Sequence, residues 1–298
     1  MAVMRYVEIE ALGNGRALGL TVARARVPGL RMQVAHPRRM LLRQGRDAVL
    51  LGLVDEDRYG VRVFRTGRYA SPLPPLRAAE ARVREYRDWA YRFAAWLDEA
   101  DTSPLHEGRW VLRMFNANVW EPLSYWWEWG LVGAEPEPSA YVDWLGNGWG
   151  GILPLRPLSP PDAGRVKAYR KLVRERVLPP VLLWAVSGLD GHVVLDGHDR
   201  LAAALAEQVT PPMLVLTRGI DAAGQRAILE AVEGHVTGTI EKLRRRPEPG
   251  ARRQIDALVQ GFARTAAAVP YDEVRTRAWP LKGGAAAWDA EAAAHGWR

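Results

Sequence analysis

Cysteine is absent from this chain of 298 residues. Its absence excludes disulfide staples, zinc sites built on thiolates and any thiol nucleophile. Long apolar runs are missing too: no stretch of about 18 uncharged apolar residues offers itself as a membrane-spanning helix. The opening residues, Met1 to Glu8, lack the basic start and apolar run of a signal peptide, so the expected compartment is the cytoplasm. Lysine is scarce. Only Lys167, Lys171, Lys242 and Lys282 stand among the 41 basic residues, and the other 37 are arginines. With abundant alanine and glycine this reads as the coding bias of a GC-rich genome, so the net charge of +7 is not taken as a nucleic-acid surface. Phenylalanine is also scarce, at four residues against 13 tryptophans, and the tryptophans are expected to fill the core in its place.

What is present reads as an α+β chain in three regions. Residues 1–150 open on short β-like runs: Arg5 to Ile9, Ala17 to Val22, Arg31 to Ala35, Ala48 to Val54 and Tyr59 to Phe64. Turn signals such as Gly13-Asn14-Gly15 and Gln44-Gly45-Arg46-Asp47 separate them, which predicts an antiparallel β region. Ser71-Pro72-Leu73-Pro74-Pro75 ends the pattern and marks a junction, because a proline cluster extends neither a helix nor an inner strand. From Leu76 to Ala100, Val83, Tyr86, Ala90, Phe93, Ala94 and Leu97 recur at helical spacing and predict a helix docked on the β region. An acidic, Trp-rich stretch from Trp110 to Trp149 follows, and it is the surface on which a protein partner would be sought. Residues 151–218 then read as a compact α/β domain. Residues 219–298 read as a helical region, with helices over Asp221 to Leu243 and Ala251 to Ala268 and a short one after Trp279. The Arg244-Arg245-Arg246 run between them reads as a solvated helix end.

Chemistry concentrates in residues 151–218. Ile152 to Leu155 reads as a strand, Pro161 to Arg176 as a helix, Val181 to Trp184 and Val193 to Leu195 as further strands. At Asp196-Gly197 the backbone pivots into a helix from Arg200 to Gln208, with Asp199 placed to cap its first turn, and Met213 to Leu216 supplies a last strand. A strand that passes through glycine into a helix start presents unpaired N–H groups, aligned with the helix dipole, beside a residue with no side chain. His198 and Arg200 add donors, and arginine grips a phosphate with two parallel hydrogen bonds. A metal site from His192, His198, Asp196 and Asp199 is a weaker alternative, since no helical or hairpin spacing brings the four together.

The order Leu153-Pro154-Leu155-Arg156-Pro157-Leu158, helix, Leu178-Pro179-Pro180-Val181-Leu182-Leu183, then Leu195-Asp196-Gly197-His198-Asp199-Arg200-Leu201-Ala202 resembles the ParB/sulfiredoxin superfamily over about a quarter of the chain. The resemblance implies a nucleoside phosphate (ATP, ADP or CTP, with Mg²⁺) held by Gly197, His198, Asp199 and Arg200. It also implies phosphoryl transfer to, or hydrolysis of, a small substrate, with Asp162 as base and Asp196 and Asp199 on the metal. Asp199 departs from the pattern, because members with an Asp-Gly-His-His-Arg loop carry a second histidine there. With no thiol, a sulfiredoxin-type redox step is excluded. No helix-turn-helix is visible in Asp221 to Ala268, which disfavours a DNA clamp. Two other readings stay open: a non-enzymatic interaction scaffold on a degenerate domain, and a nucleic-acid-binding or nuclease-like protein.

Overall fold

Successive side chains of a strand point to opposite faces of its sheet, and most strands of this protein are covered on both. The computed structural model describes residues 7–12, 17–23, 27–36, 38–76, 78–81, 86–115, 119–124, 130–145, 151–245, 249–271 and 275–297, which form a mixed α+β fold. A seven-stranded sheet runs, in spatial order, β1 (Val7–Leu12), β2 (Ala17–Val22), β7 (Gly108–Met114), β12 (Met213–Arg218), β10 (Val181–Val186), β11 (Gly191–Asp196) and β9 (Gly151–Pro154). A six-stranded sheet runs β13 (Ala278–Pro280), β3 (Leu30–Ala35), β4 (Arg39–Gln44), β5 (Asp47–Asp55), β6 (Gly60–Arg65) and β8 (Ser139–Asp143). Among the described residues the helices are α1 (Ala78–Ala81), α2 (Tyr86–Glu99), α3 (Gly164–Arg174), α4 (His198–Ala206), α5 (Ala222–Arg245), α6 (Ala251–Ala268) and α7 (Gly284–Ala294).

One apolar core joins the two sheets. Leu182 and Trp184 of β10, Val193 and Leu195 of β11, and Leu214 and Leu216 of β12 share it with Met40 and Leu42 of β4 and with Trp89, Phe93 and Leu97 of α2. The alternate residues, Val181, Leu183, Val194, Met213 and Val215, face the other way, onto Leu201 of α4. α3 packs beside α4 through Val166, Tyr169 and Leu172 against Ala203 and Ala204. Arg170 and Arg174 of α3 also grip Glu207 at the end of α4, at 2.6–2.9 Å, and hold its carboxyl down to about 2. On the far side of the six-stranded sheet, Leu41 and Leu51 meet Trp288 and Ala292 of α7.

The antiparallel β region expected at the N-terminus is divided. β1 pairs with β2, β2 with β7 and β7 with β12, so they extend the sheet built from 151–218. β3 to β6 begin a second sheet. β4 was not expected at all, because its arginines break the apolar pattern. Arg39 and Arg43 lie on the α7 side and pair there with Asp289 and Glu291 at 2.9 and 3.2 Å, partners some 250 positions away. The docked α2 matches expectation through Ala90, Phe93, Ala94 and Leu97, all buried, while Val83 lies outside the described residues. Trp89, Trp110, Trp184 and Trp288 fill the core as expected; Trp126, Trp127, Trp129 and Trp149 lie outside the described residues. The short final strand β13 pairs in parallel with β3, its Trp279 edge-on to His106 at 5.2 Å.

Candidate functional site

β11 ends at Asp196, and Gly197 turns the chain directly into α4. Its φ of +96° lies in the region that favours glycine, and a Cβ there would stand 2.7 Å from the Arg200 guanidinium. The glycine is therefore required twice, for the backbone angle and for the close approach of Arg200. Gly197 also takes the position before the first helical turn, without any side-chain cap. The first bond inside the helix runs from the Leu201 amide to the Gly197 carbonyl at 2.8 Å. Among the described residues none accepts from the amides of His198, Asp199 or Arg200, the ordinary state of a first helical turn.

Asp199 was expected to cap that turn. Instead its carboxylate makes no cap bond and is held by residues between β9 and the start of α3: Ser159 donates to Oδ1 at 2.7 Å, with Arg156 3.4 Å from Oδ1 and Arg165 3.4 Å from Oδ2. The helix expected from Pro161 begins only at Gly164, so Asp162 sits in the turn before it, exposed and outside the cleft. Asp196 is held on both oxygens, by the Ser71 hydroxyl at 2.6 Å and by the Arg200 guanidinium at 2.5 Å. The two carboxylates proposed for a metal are thus already engaged by hydroxyls and guanidiniums. His192 and His198 part company: His192 lies edge-on to Phe115 at 4.5 Å, and His198 lies 5.8 Å from the Tyr69 ring.

Gly197, His198, Asp199 and Arg200 border a cleft of about 90 Å³ together with Arg156, Arg165, Tyr169 and Asp196. Its remaining wall is Ser71, Leu73 and Pro75, so the proline cluster read as a junction forms one side of the site. Tyr69 anchors that wall by donating to the Leu195 carbonyl at 2.6 Å. Three guanidiniums face two carboxylates here, leaving an excess of positive charge at the positive end of a helix.

Burial makes the charged loop unusual. His198 and Arg200 are each 1% exposed, and Asp199 is 6% exposed. Burial, then the charges of Arg156, Arg200 and Arg65, push the His198 imidazole well below its ordinary value, so it stays neutral. His198 Nε2 and Arg200 Nε, both buried, have no protein hydrogen-bond partner among the described residues. Buried polar atoms are nearly always satisfied; Arg65 Nε, Arg92 Nε and Trp144 Nε1 are likewise unmet elsewhere, while His198 and Arg200 are neighbours that both border the cleft. Sequence reasoning missed Ser71, Ser159, Arg156 and Arg165 as members of the site. Arg156 shortly precedes the helix predicted from Pro161 and Arg165 lies in its first turns, a usable signal; Ser71, 125 residues from Asp196, offered none. Compared with family models, curated proteins and solved structures, the chain finds no match in any of the three.

Proposed function

We propose that this protein binds a phosphate group of a nucleotide or other small phosphorylated ligand at the start of α4. The supporting observation is the pair of unmet buried atoms, His198 Nε2 and Arg200 Nε, beside three free first-turn amides in a cleft rich in guanidinium. Amides and dipole at a helix start attract an anion, and the bordering arginines supply charge-assisted hydrogen bonds. The enclosed volume of about 90 Å³ suits one phosphate-sized group. Drug-sized pockets run to roughly 300–1,000 Å³, so a nucleoside would lie outside the cleft, along the Ser71–Pro75 wall. This reading accords with the ParB/sulfiredoxin resemblance of the Asp196 to Arg200 loop and with a cytoplasmic location, where nucleotides are abundant.

A resident Mg²⁺ does not fit the donor set. Asp196 and Asp199 already accept from Ser71, Ser159 and three guanidiniums, and a cation would have to displace them. For the same reason neither carboxylate is free to act as a base, and Asp162 is outside the cleft. The proposal is therefore one of binding, with no proton transfer assigned.

Calorimetric titration with pyrophosphate, ADP, ATP and CTP, with and without Mg²⁺, tests it. Wild type is expected to bind at least one of them. Arg156→Gln with Arg165→Gln removes two partly exposed cations while keeping amide donors for the buried Asp199, and is expected to weaken binding by at least about tenfold, with thermal unfolding reporting that the variant stays folded. Absence of binding across all four, or affinity unchanged in the double variant, would refute the proposal.

A further inference from the structure

A long helix in water is stable when its apolar face is covered; by itself it is marginal. α5 spans 24 residues and buries none, and α6 spans 18 residues and buries only Ala251. Both carry apolar residues at helical spacing all the same. Val232, Val236 and Leu243 of α5 and Ala257, Leu258 and Phe262 of α6 border one open groove of about 550 Å³ between the two helices. The helices pack against each other, and their main further contact is the short 3₁₀ turn Val269–Tyr271. The hairpin is thus half of a helical core.

We infer that the groove is an interface for a second copy of this chain, two hairpins closing antiparallel about a two-fold axis into a four-helix bundle. The area is of the right size. At 1.5 Å per residue α5 is about 36 Å long and α6 about 27 Å, and two adjacent helices are about 20 Å wide. That face amounts to roughly 600–700 Å², close to the roughly 800 Å² per partner of a stable interface. A two-fold axis lets one such face cover its own copy, with no other partner required.

Charge selects the antiparallel arrangement. At the hairpin tip, Lys242, Arg244, Arg245, Arg252 and Arg253 outnumber Glu241 and Asp256, whereas the half nearer the sheets carries Glu230 and Glu233 against Arg226 and Arg264. Parallel hairpins would set two basic tips side by side. Antiparallel hairpins set each basic tip along the half of the other copy in which Glu230 and Glu233 balance Arg226 and Arg264, with Glu233 flanking the groove.

Light scattering and sedimentation equilibrium of the full chain test this, and a dimer is expected at micromolar concentration. Val236→Glu with Phe262→Glu is expected to raise the dissociation constant about a hundredfold or more. Glu233→Lys, at an exposed position flanking the groove, is expected to weaken the dimer several-fold at low salt and less at high salt. Because the chain has no cysteine, single cysteines report the arrangement. Val236→Cys, near the axis, is expected to link to itself on oxidation, and Arg245→Cys, at the tip, is not. A wild type that stays monomeric, a dimer unaffected by Val236→Glu with Phe262→Glu or by the charge reversal, or self-linking through Arg245→Cys would each overturn the inference.

Discussion

α4 and α5 invert the usual relation between polarity and burial. α4 is nine residues long, starts His198-Asp199-Arg200, and buries all three together with the four residues that follow. α5 is 24 residues long, carries a clear apolar stripe, and buries nothing. The difference lies in what each helix meets. α4 lies against β10 and α3, on a face of the seven-stranded sheet that must be covered, and its charges go inside because partners wait there: Asp196 and Ser71 on one side, Arg156, Arg165 and Ser159 on the other. α5 leaves the sheet after β12, and its main contacts among the described residues are with α6 and a short turn. Amphipathic spacing identifies which face of a helix wants cover, and the surrounding architecture decides whether it is covered.

The hardest blow to the buried side of this comparison is Arg200→Met. It leaves Asp196, with a side chain only 15% exposed, without its guanidinium. Unfolding free energy is expected to fall by about 3–5 kcal/mol in urea titration, and adding Asp196→Asn is expected to restore part of it. A stability equal to wild type would mean that the ion pair does not organise α4.

Acid acts next. Burial lowers His106 and His192 to about 4 each, and His198 moves in the same direction. These groups protonate more readily unfolded, at about 6.5, than folded, so their stabilising effect is full above that pH. It is lost as pH falls from about 6.5 toward 4, with about 2 kcal/mol lost for each of His106 and His192 by about pH 5. Urea midpoints measured from pH 7.5 to 5 should decline accordingly; a flat profile would show these rings solvated.

Tyr69→Phe removes the hydroxyl bonded to Leu195 and is expected to lower stability by about 1 kcal/mol, read from thermal unfolding, while loosening the Ser71–Pro75 wall. The smallest effect belongs to the exposed side. Val259→Ser, at a position 52% exposed and off the groove, is expected to change stability by less than about 0.5 kcal/mol, and a larger loss would place that face of α6 in contact with something.

Legibility followed distance along the chain. The strands and helices of 151–218 were read within a few residues, and α6 was placed at Ala251–Ala268, because their apolar spacing is local. β4 was missed because Arg39 and Arg43 look like turn residues until Asp289 and Glu291 come alongside. The separation of β1–β2 from β3–β6 was hidden for a related reason: antiparallel strands with alternating residues pair equally well with either set of neighbours, and only long-range pairing chooses between them. At the site, the Asp196 to Arg200 loop was visible as a strand, a glycine and a helix start. Its wall and two of its three guanidiniums were not.

Local residue order therefore determined that Gly197 turns a strand into a helix and leaves amides free there, since backbone angle and helix spacing are properties of neighbouring residues. Tertiary structure alone decided that His198 and Arg200 are buried, that Asp199 turns to Arg156 and Arg165, and that α5 and α6 are left half covered. Burial and partner choice depend on how sheets and helices stack, and stacking joins groups that the chain keeps 125 and 126 residues apart at this site.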